Sequence, residues 1–127
     1  IEDADIVVGM GRSVLEGVAA GRLGIVHGRW GTGGIIHESD IQELARVNFS
    51  GRNSHGKFYT EEDFIREIDA HYNAETIEWG VNYMQREHNA VHAANEILAI
   101  SRSLLGDDIN AQTETRRIPY RKQKDEN

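Results

Sequence analysis

The sequence predicts an α/β fold with a short parallel sheet followed by a helical C-terminal part. Residues 4–28 contain two β-branched runs on either side of one amphipathic stretch, which is the pattern of a strand–helix–strand unit with parallel strands. From residue 39 to residue 105 the apolar residues recur instead at helical spacing. A sheet of two strands, with a brief third at Ile35-Ile36, is therefore expected to precede four helical stripes.

Glycines bound the elements of the strand–helix–strand unit. The first β-branched run ends at Gly9, and its lack of alternation predicts a strand that is covered on both faces. Gly21 follows the amphipathic stretch at the position where helices commonly end. Gly24 weakens the second strand, and the glycine-rich residues 28–34 are predicted as a loop. The strands are expected at residues 4–9 and 23–27, and the helix at residues 12–20.

Two capping patterns mark helix starts in the second half of the chain. Ser39 with Gln42, and Thr60 with Asp63, have the spacing of a capping box. The stripe behind Ser39 holds Ile41, Leu44 and Ala45, and the later stripes place these residues on apolar faces: Phe64, Ile65, Ile68, Tyr72; Ile77, Val81, Met84; Ala90, Ala93, Ile97, Ile100, Leu104. The last two stripes fit one long helix or two helices that bend at residues 87–89.

The chain is expected to contain one domain, residues 1–106, and a disordered polar tail, residues 107–127. The tail balances acidic against basic residues, contains the only proline and offers little apolar surface to bury. Two or three parallel strands leave unpaired backbone groups at both sheet edges. We therefore expect further strands from an upstream segment of a longer protein or from a homodimer partner.

Composition excludes several classes of function. The 14 Lys and Arg residues against 21 Asp and Glu residues give a net charge of −7, which disfavours binding to nucleic acid or to an anionic membrane surface. The absence of cysteine excludes disulfides, a cysteine nucleophile and a thiolate zinc site. No apolar run is long enough for a transmembrane segment and no signal peptide is visible, so a cytoplasmic location is expected.

One glycine segment lies where a strand is followed at once by a helix. Gly9 and Gly11 would let a diphosphate approach the backbone, and the first amides of the helix, Val14 included, suit an anion. Arg12 and Ser13 add donors, and Glu16, one turn into the helix, could accept hydrogen bonds from two ribose hydroxyls. The same residues also fit a tight turn beside a surface ion pair between Arg12 and Glu16.

Residues 4–28 resemble the nucleotide-sugar-binding motif of GT-B-type glycosyltransferases, above all the retaining group that includes glycogen-synthase-like and mannosyltransferase-like enzymes. The shared pattern is an Ala-Asp strand, a glycine loop, a Leu-Glu helix and a glycine turn into the next strand. Residues 48–52, Asn-Phe-Ser-Gly-Arg, also resemble a downstream segment of some members. The resemblance implies a partial Rossmann-like domain, the C-terminal half of a GT-B fold, that binds a nucleotide diphosphate sugar as the donor of a hexose-type sugar and needs no cofactor or metal.

The resemblance assigns roles to residues of the glycine segment, and at two positions this chain departs from the family motif. Glu16 matches the glutamate that holds the nucleotide ribose, and residues 11–14 match the helix start whose amides meet the diphosphate. Many members have a second glutamate that acts near the donor sugar, where this chain has Val8. Leu23 likewise stands where the glycine turn of the family has proline. The basic residues that neutralise the diphosphate come from further upstream in the family. The sequence therefore indicates no catalytic residue, and this chain is not expected to catalyse transfer alone.

Several other residues are candidates for a cleft or a metal site. His27 ends the second strand, and Arg29 and Trp30 lie in the following glycine-rich segment, where they would border the cleft or form an ordinary surface connection. His88 and His92 have the spacing of two metal ligands on one helix, but no glutamate follows His88 and no third ligand is evident, so the sequence favours two surface histidines.

Two alternatives to a glycosyltransferase domain stay open. The first is a stand-alone nucleotide-binding or regulatory module that pairs its sheet edges in a homodimer and does not catalyse. The second is an unrelated α/β enzyme with a nucleotide cofactor. That enzyme would be expected to carry an acidic residue near the end of the second strand, where this chain has His27 and Gly28.

Overall fold

A computed structural model of the chain describes residues 3–105. Residues up to Asn89 form one compact unit, and the helix that begins at Ala90 belongs to a second unit and is described by itself. The α/β class is confirmed, with a three-stranded sheet and helices. The elements are β1 (Ile6–Gly9), α1 (Arg12–Ala19), β2 (Leu23–Gly28), β3 (Gly31–Ile35), α2 (Ile41–Arg46), a 3-10 helix (Arg52–Ser54), α3 (Glu61–His71), α4 (Ala74–Glu87) and α5 (Ala90–Leu105).

The sheet has the order β1-β2-β3 and is mixed rather than parallel throughout. β1 and β2 pair in parallel as predicted, with Ile6 opposite Leu23. β3 runs antiparallel to β2, so the expectation of a third parallel strand is wrong. The reason is the connection, because only Arg29 and Trp30 separate the two strands and so short a turn joins antiparallel neighbours. Most of the segment predicted as a loop, residues 28–34, is therefore strand.

The larger hydrophobic cluster lies on the sheet face that α1 and α4 cover. Val14 and Val18 of α1 pack there with Val26, and residues of α2, α4 and the following loops complete the cluster: Ile36, Leu44, Phe49 and Met84. Gly24 lets α1 approach the sheet, since a Cβ at this position would overlap the Val18 side chain. The glycine that weakens β2 as a strand thus serves helix packing.

The opposite sheet face carries α3 and a smaller cluster. Leu23, Ile25 and Ile35 are buried there, and Phe64 and Ile68 of α3 pack partly against them. The prediction that Ile65 and Tyr72 also face the core is wrong, since they are 54% and 48% exposed. Ile65 lies beside the row of residues four apart that contacts the sheet, and it turns toward solvent. Tyr72 follows the last residue of α3, so the helical spacing no longer places its side chain on that row.

Two of the predicted helix boundaries are confirmed and one is wrong. Gly21 follows α1, where the amides of residues 21 and 22 bond back to Val18 and Gly17. Thr60 and the side chain of the third helical residue form the predicted capping box of α3. The predicted box at Ser39 is absent, because α2 begins after Asp40, whose carboxylate instead contacts the His37 ring nitrogen at 3.1 Å.

The two last stripes form separate helices. α4 ends at Glu87 with His88 as its cap, and α5 begins at Ala90. Within residues 3–105, no helix combines the length and the apolar character that crossing a lipid bilayer requires. The predicted tail, residues 107–127, lies outside the described residues.

Candidate functional site

The two parallel strands bring both glycine segments to one edge of the sheet. β1 ends at Gly9 and β2 at Gly28, so their carboxyl ends share this edge. The two turns are neighbours, since a Cβ on Gly28 would come within 2.6 Å of the Met10 sulfur. In open α/β sheets the crevice outside the carboxyl ends of the strands is the usual ligand site.

The turn between β1 and α1 leaves open space at its second glycine. Gly11 has a φ of +56°, and apart from its chain neighbours no atom of residues 3–105 lies within 4 Å of the position that a Cβ would occupy. Its own N–H donates to the carbonyl of Phe49 at 2.8 Å, which fixes the turn. No side chain caps α1, and the first amides of a helix lack intrahelical acceptors, with about half a positive charge at that end. An anion can reach these amides from the open side.

The other predicted residues of this turn contribute in different ways. The hydroxyl of Ser13 donates to the Met10 carbonyl at 2.9 Å, so its proton is already used. Ser13 also comes close to Gly9, where a Cβ would lie 2.9 Å from its oxygen. Val14 is fully buried in the core, so only its amide is left to meet a ligand.

Arg12 and Glu16 form an ion pair at the mouth of a cleft. The Arg12 Nε lies 2.6 Å from a Glu16 oxygen, and the side chains are 92% and 52% exposed. The pair therefore remains accessible rather than sealed in the protein, and such exposed pairs contribute little to stability. Both side chains line a cleft of about 480 Å³ together with Leu15, Ala19, Asn48, Met84 and His88.

Three lining residues of this cleft come from outside the strand–helix–strand unit. Asn48 lies in the segment that resembles the glycosyltransferase family, and it and Phe49 both have a φ of 53°, an uncommon conformation for residues other than glycine. Met84 and His88 come from the end of α4. Sequence reasoning singled out the first segment without its role. It placed Met84 on an apolar stripe and considered His88 as a metal ligand, and no sequence pattern connected either residue with this cleft.

His27 lies apart from the cleft that Glu16 lines. Its Nδ1 is 2.9 Å from the hydroxyl of Thr32, and its ring contacts Phe58 and Phe64 at centroid distances of 5.8 and 5.9 Å. The Thr32 hydroxyl also accepts from the amide of Tyr59 at 3.0 Å. Burial, followed by nearby carboxylates, raises the pKa of the Tyr59 phenol above its ordinary value.

Arg29 and Trp30 form the exposed turn between β2 and β3. The Arg29 guanidinium lies over the Trp30 ring at 4.5 Å from the ring centroid, and that of Arg52 lies 5.1 Å from the same centroid. Trp30 is 40% exposed. Sequence reasoning named Arg29 and Trp30. Arg52 belongs to the 3-10 helix and lies beside them through tertiary contacts.

A second, smaller cavity of about 130 Å³ lies beside the carboxyl end of β3. Because β3 is antiparallel to β2, this is the opposite end of the strands from the two glycine segments. His37 and His71 stack there at 4.3 Å between ring centroids, with Glu38, Glu75, Thr76 and Trp79 completing the lining.

Among residues 3–105 no group of three or more metal-ligating side chains is present. The predicted placement of His88 and His92 on one helix is wrong, because the first caps α4 and the second lies in α5.

Arg12, the first residue of α1, and Glu16 thus line one accessible cleft, and the open turn at Gly11 directly precedes Arg12. Val8 of β1, at the position of the family's second glutamate, is 52% exposed and brings no ionisable group. No protein-family model, curated protein or solved structure matches this chain.

Proposed function

We propose that this chain is the nucleotide-diphosphate-sugar-binding part of a GT-B-type glycosyltransferase that transfers a hexose-type sugar to an acceptor. The observation that carries the proposal is the accessible turn at Gly11 next to Glu16, which lines the cleft of about 480 Å³. A partial Rossmann-like domain of this kind is compatible with the parallel β1–α1–β2 unit.

In this proposal the diphosphate meets the amino end of α1. The open side of Gly11 admits phosphate oxygens to the free amides, which act with the helix dipole. The ribose hydroxyls donate to the Glu16 carboxylate, which exchanges its contact with Arg12 for them. The freed Arg12 guanidinium then gives a charge-assisted hydrogen bond to the ligand.

The proposed role stops at donor binding. The resemblance places the basic residues that neutralise the leaving diphosphate upstream, and Val8 replaces the glutamate that acts near the donor sugar. Transfer therefore requires groups from an upstream domain of the same parent protein or from a partner, and we expect this chain alone to bind without turnover. A cytoplasmic enzyme that requires no metal or other cofactor fits the resemblance.

Calorimetric titration of the full chain with UDP, GDP and ADP tests the proposal. We expect one of the three to bind, because the base selects among them while the ribose and diphosphate contacts are common. Glu16→Ala should weaken that binding by about 1–3 kcal/mol, the usual effect of removing a charged hydrogen-bonding partner.

Glu87→Ala is the matched control for that titration. Glu87 is also an exposed helical carboxylate paired with an arginine, at 2.7 Å from Arg86, but it does not line the cleft. Its loss should leave nucleotide binding within twofold of the parent chain. Equal binding by the Glu16→Ala variant, or no binding of any of the three diphosphates, would contradict the proposal for this chain.

A second candidate function is a homodimeric binding or regulatory module without catalysis. β1 is an edge strand of the sheet. Val8 in this strand is 52% exposed, and Met10, which follows the strand, is 45% exposed. An edge strand with exposed apolar residues can pair with the same strand of a second copy. Light scattering at high protein concentration tests this, and a purely monomeric chain would rule it out.

A further inference from the structure

A cluster of two arginines around one indole lies at the carboxyl edge of the sheet. We call Arg29, Trp30 and Arg52 the arginine–indole cluster. The two guanidinium carbons lie 4.5 and 5.1 Å from the centroid of the Trp30 ring. At these distances the face of the indole ring attracts both guanidinium groups, so one aromatic side chain holds two cations near each other.

Hydrogen bonds connect the hairpin turn that carries Arg29 and Trp30 to the segment that carries Arg52. The hydroxyl of Ser54 donates to the Trp30 carbonyl at 3.0 Å, and the amide of Thr32 donates to the Lys57 carbonyl at 2.8 Å. The side-chain amide of Asn53 donates to the Gly33 carbonyl at 2.9 Å. The hairpin turn and the segment that carries Arg52 are therefore fixed to each other, which lowers the cost of ordering a binding site.

The charge of the cluster is not balanced by carboxylates. Of the other exposed arginines, Arg12, Arg66 and Arg86 have a carboxylate within 4 Å, whereas among residues 3–105 Arg46 and Arg102 have none. Arg29 and Arg52 differ from the latter two because both lie over one indole ring. Within residues 3–105, neither Arg29 nor Arg52 forms such a pair. Two uncompensated cations in a chain of net charge −7 mark a local site for an anion.

We propose that the arginine–indole cluster binds the phosphate group of a phosphate-bearing ligand. Two guanidinium forks match the two negative charges and three oxygens of a phosphate monoester better than the single charge of a carboxylate. The ligand is either the donor's own diphosphate or a separate phosphorylated compound. Interpreting a separate compound as the sugar acceptor rests on the proposed function, whereas the phosphate site itself does not.

Trp30 supplies a direct readout of this site. The chain has two tryptophans, so Trp79→Phe leaves Trp30 as the only indole. We expect inorganic phosphate, titrated at constant ionic strength against chloride, to change the Trp30 fluorescence saturably. Arg29→Gln and Arg52→Gln should each weaken that binding roughly tenfold, the effect of losing a charge-assisted hydrogen bond.

Arg86→Gln is the matched control, because Arg86 also lies over an aromatic ring, 6.0 Å from the Tyr83 centroid, and already has Glu87 as partner. Its phosphate binding should equal that of the parent. A response without saturation, or one that is the same in all three variants, would overturn the phosphate site. Circular dichroism of each variant separates loss of binding from loss of fold.

Competition identifies the source of the phosphate. The phosphate titration is repeated with saturating UDP, GDP or ADP, whichever binds. Displacement of phosphate assigns the cluster to the donor's diphosphate, and unchanged phosphate binding assigns it to a separate phosphorylated ligand; both outcomes support the site. Glu16→Ala should leave the phosphate titration unchanged, so a failure of nucleotide binding and a failure of the arginine–indole cluster give different results.

Discussion

The two glycine segments at the carboxyl edge of the sheet have similar composition and opposite surroundings. Gly11, in the first segment, has open space where a side chain would begin. Gly31, in the second, has a φ of +127° and would place a Cβ 2.5 Å from the Lys57 carbonyl, with the Ser54 hydroxyl in contact as well. The first segment is thus available to a ligand, while the second is filled by another part of the same chain.

Glycine content alone therefore does not locate a binding loop in this chain. In the second segment the missing side chains make room for residues 51–57 of this chain, as when Asn53 donates to the Gly33 carbonyl. In the first segment the missing side chain at Gly11 faces solvent beside the free amides of a helix. The charges differ in the same way. Arg12 is paired with Glu16, whereas Arg29 and Arg52 around Trp30 have no carboxylate partner among residues 3–105.

The largest effect is expected for Gly31→Ala. The new methyl group would combine an unfavourable φ with overlap against the Lys57 backbone, which has little freedom to move. We expect roughly 3–5 kcal/mol of lost stability in chemical denaturation. Gly56→Ala is the control, because Gly56 has a φ of +80° and no neighbour within 4 Å, so strain alone should cost about 1–2 kcal/mol. Equal losses in the two variants would contradict the packing role of Gly31.

An intermediate effect is expected for Thr32→Val. Thr32 is 4% exposed, and its hydroxyl accepts from the Tyr59 amide and contacts His27. Valine keeps the shape but leaves the Tyr59 amide unpaired, which should cost about 1–3 kcal/mol in thermal or chemical denaturation. Thr32→Ser keeps the acceptor and should lose less. A serine variant as unstable as the valine variant would mean that packing, and not the hydrogen bond, anchors β3.

The smallest effect on stability is expected for Gly11→Ala. Gly11 and Gly56 share a positive φ and open space, so alanine at either position should cost about 1–2 kcal/mol. Only Gly11→Ala should also weaken nucleoside diphosphate binding, roughly tenfold, because its methyl group occupies the approach to the α1 amides. Denaturation and calorimetry on both variants check the pair. Unchanged binding by Gly11→Ala would contradict the proposal that the first glycine segment is a ligand site.

The strand–helix–strand unit was predictable because its determinants are close in sequence. β-branched runs, Val14 and Val18 one helical turn apart, and Gly21 at the helix end specify β1, α1 and β2 without reference to distant residues. The capping box at Thr60 is equally local. Ser39 shows the limit of such patterns, because the competing contact between His37 and Asp40 accompanies a helix that begins one residue later than predicted.

β3 was not predictable as an antiparallel strand from its own composition. Three of its five residues are glycine, which disfavours a strand. Its pairing depends on contacts with other segments, such as the bonds from Thr32 to Lys57 and from Tyr59 to Thr32. Residues of low strand propensity can form a strand when a neighbouring segment packs against them.

The sequence alone predicted the β1–α1–β2 unit and offered the pair of Arg12 with Glu16 as one of two interpretations of the glycine segment, because helical and strand periodicity act over a few residues. The open space at Gly11 and the residues around the pair depend on the tertiary structure. Met84 and His88 reach the cleft of Glu16 because α4 packs back along α1. Arg52 joins Trp30 because the segment after Phe49 folds onto the hairpin, and contacts between residues so far apart in sequence depend on the packing of the whole unit.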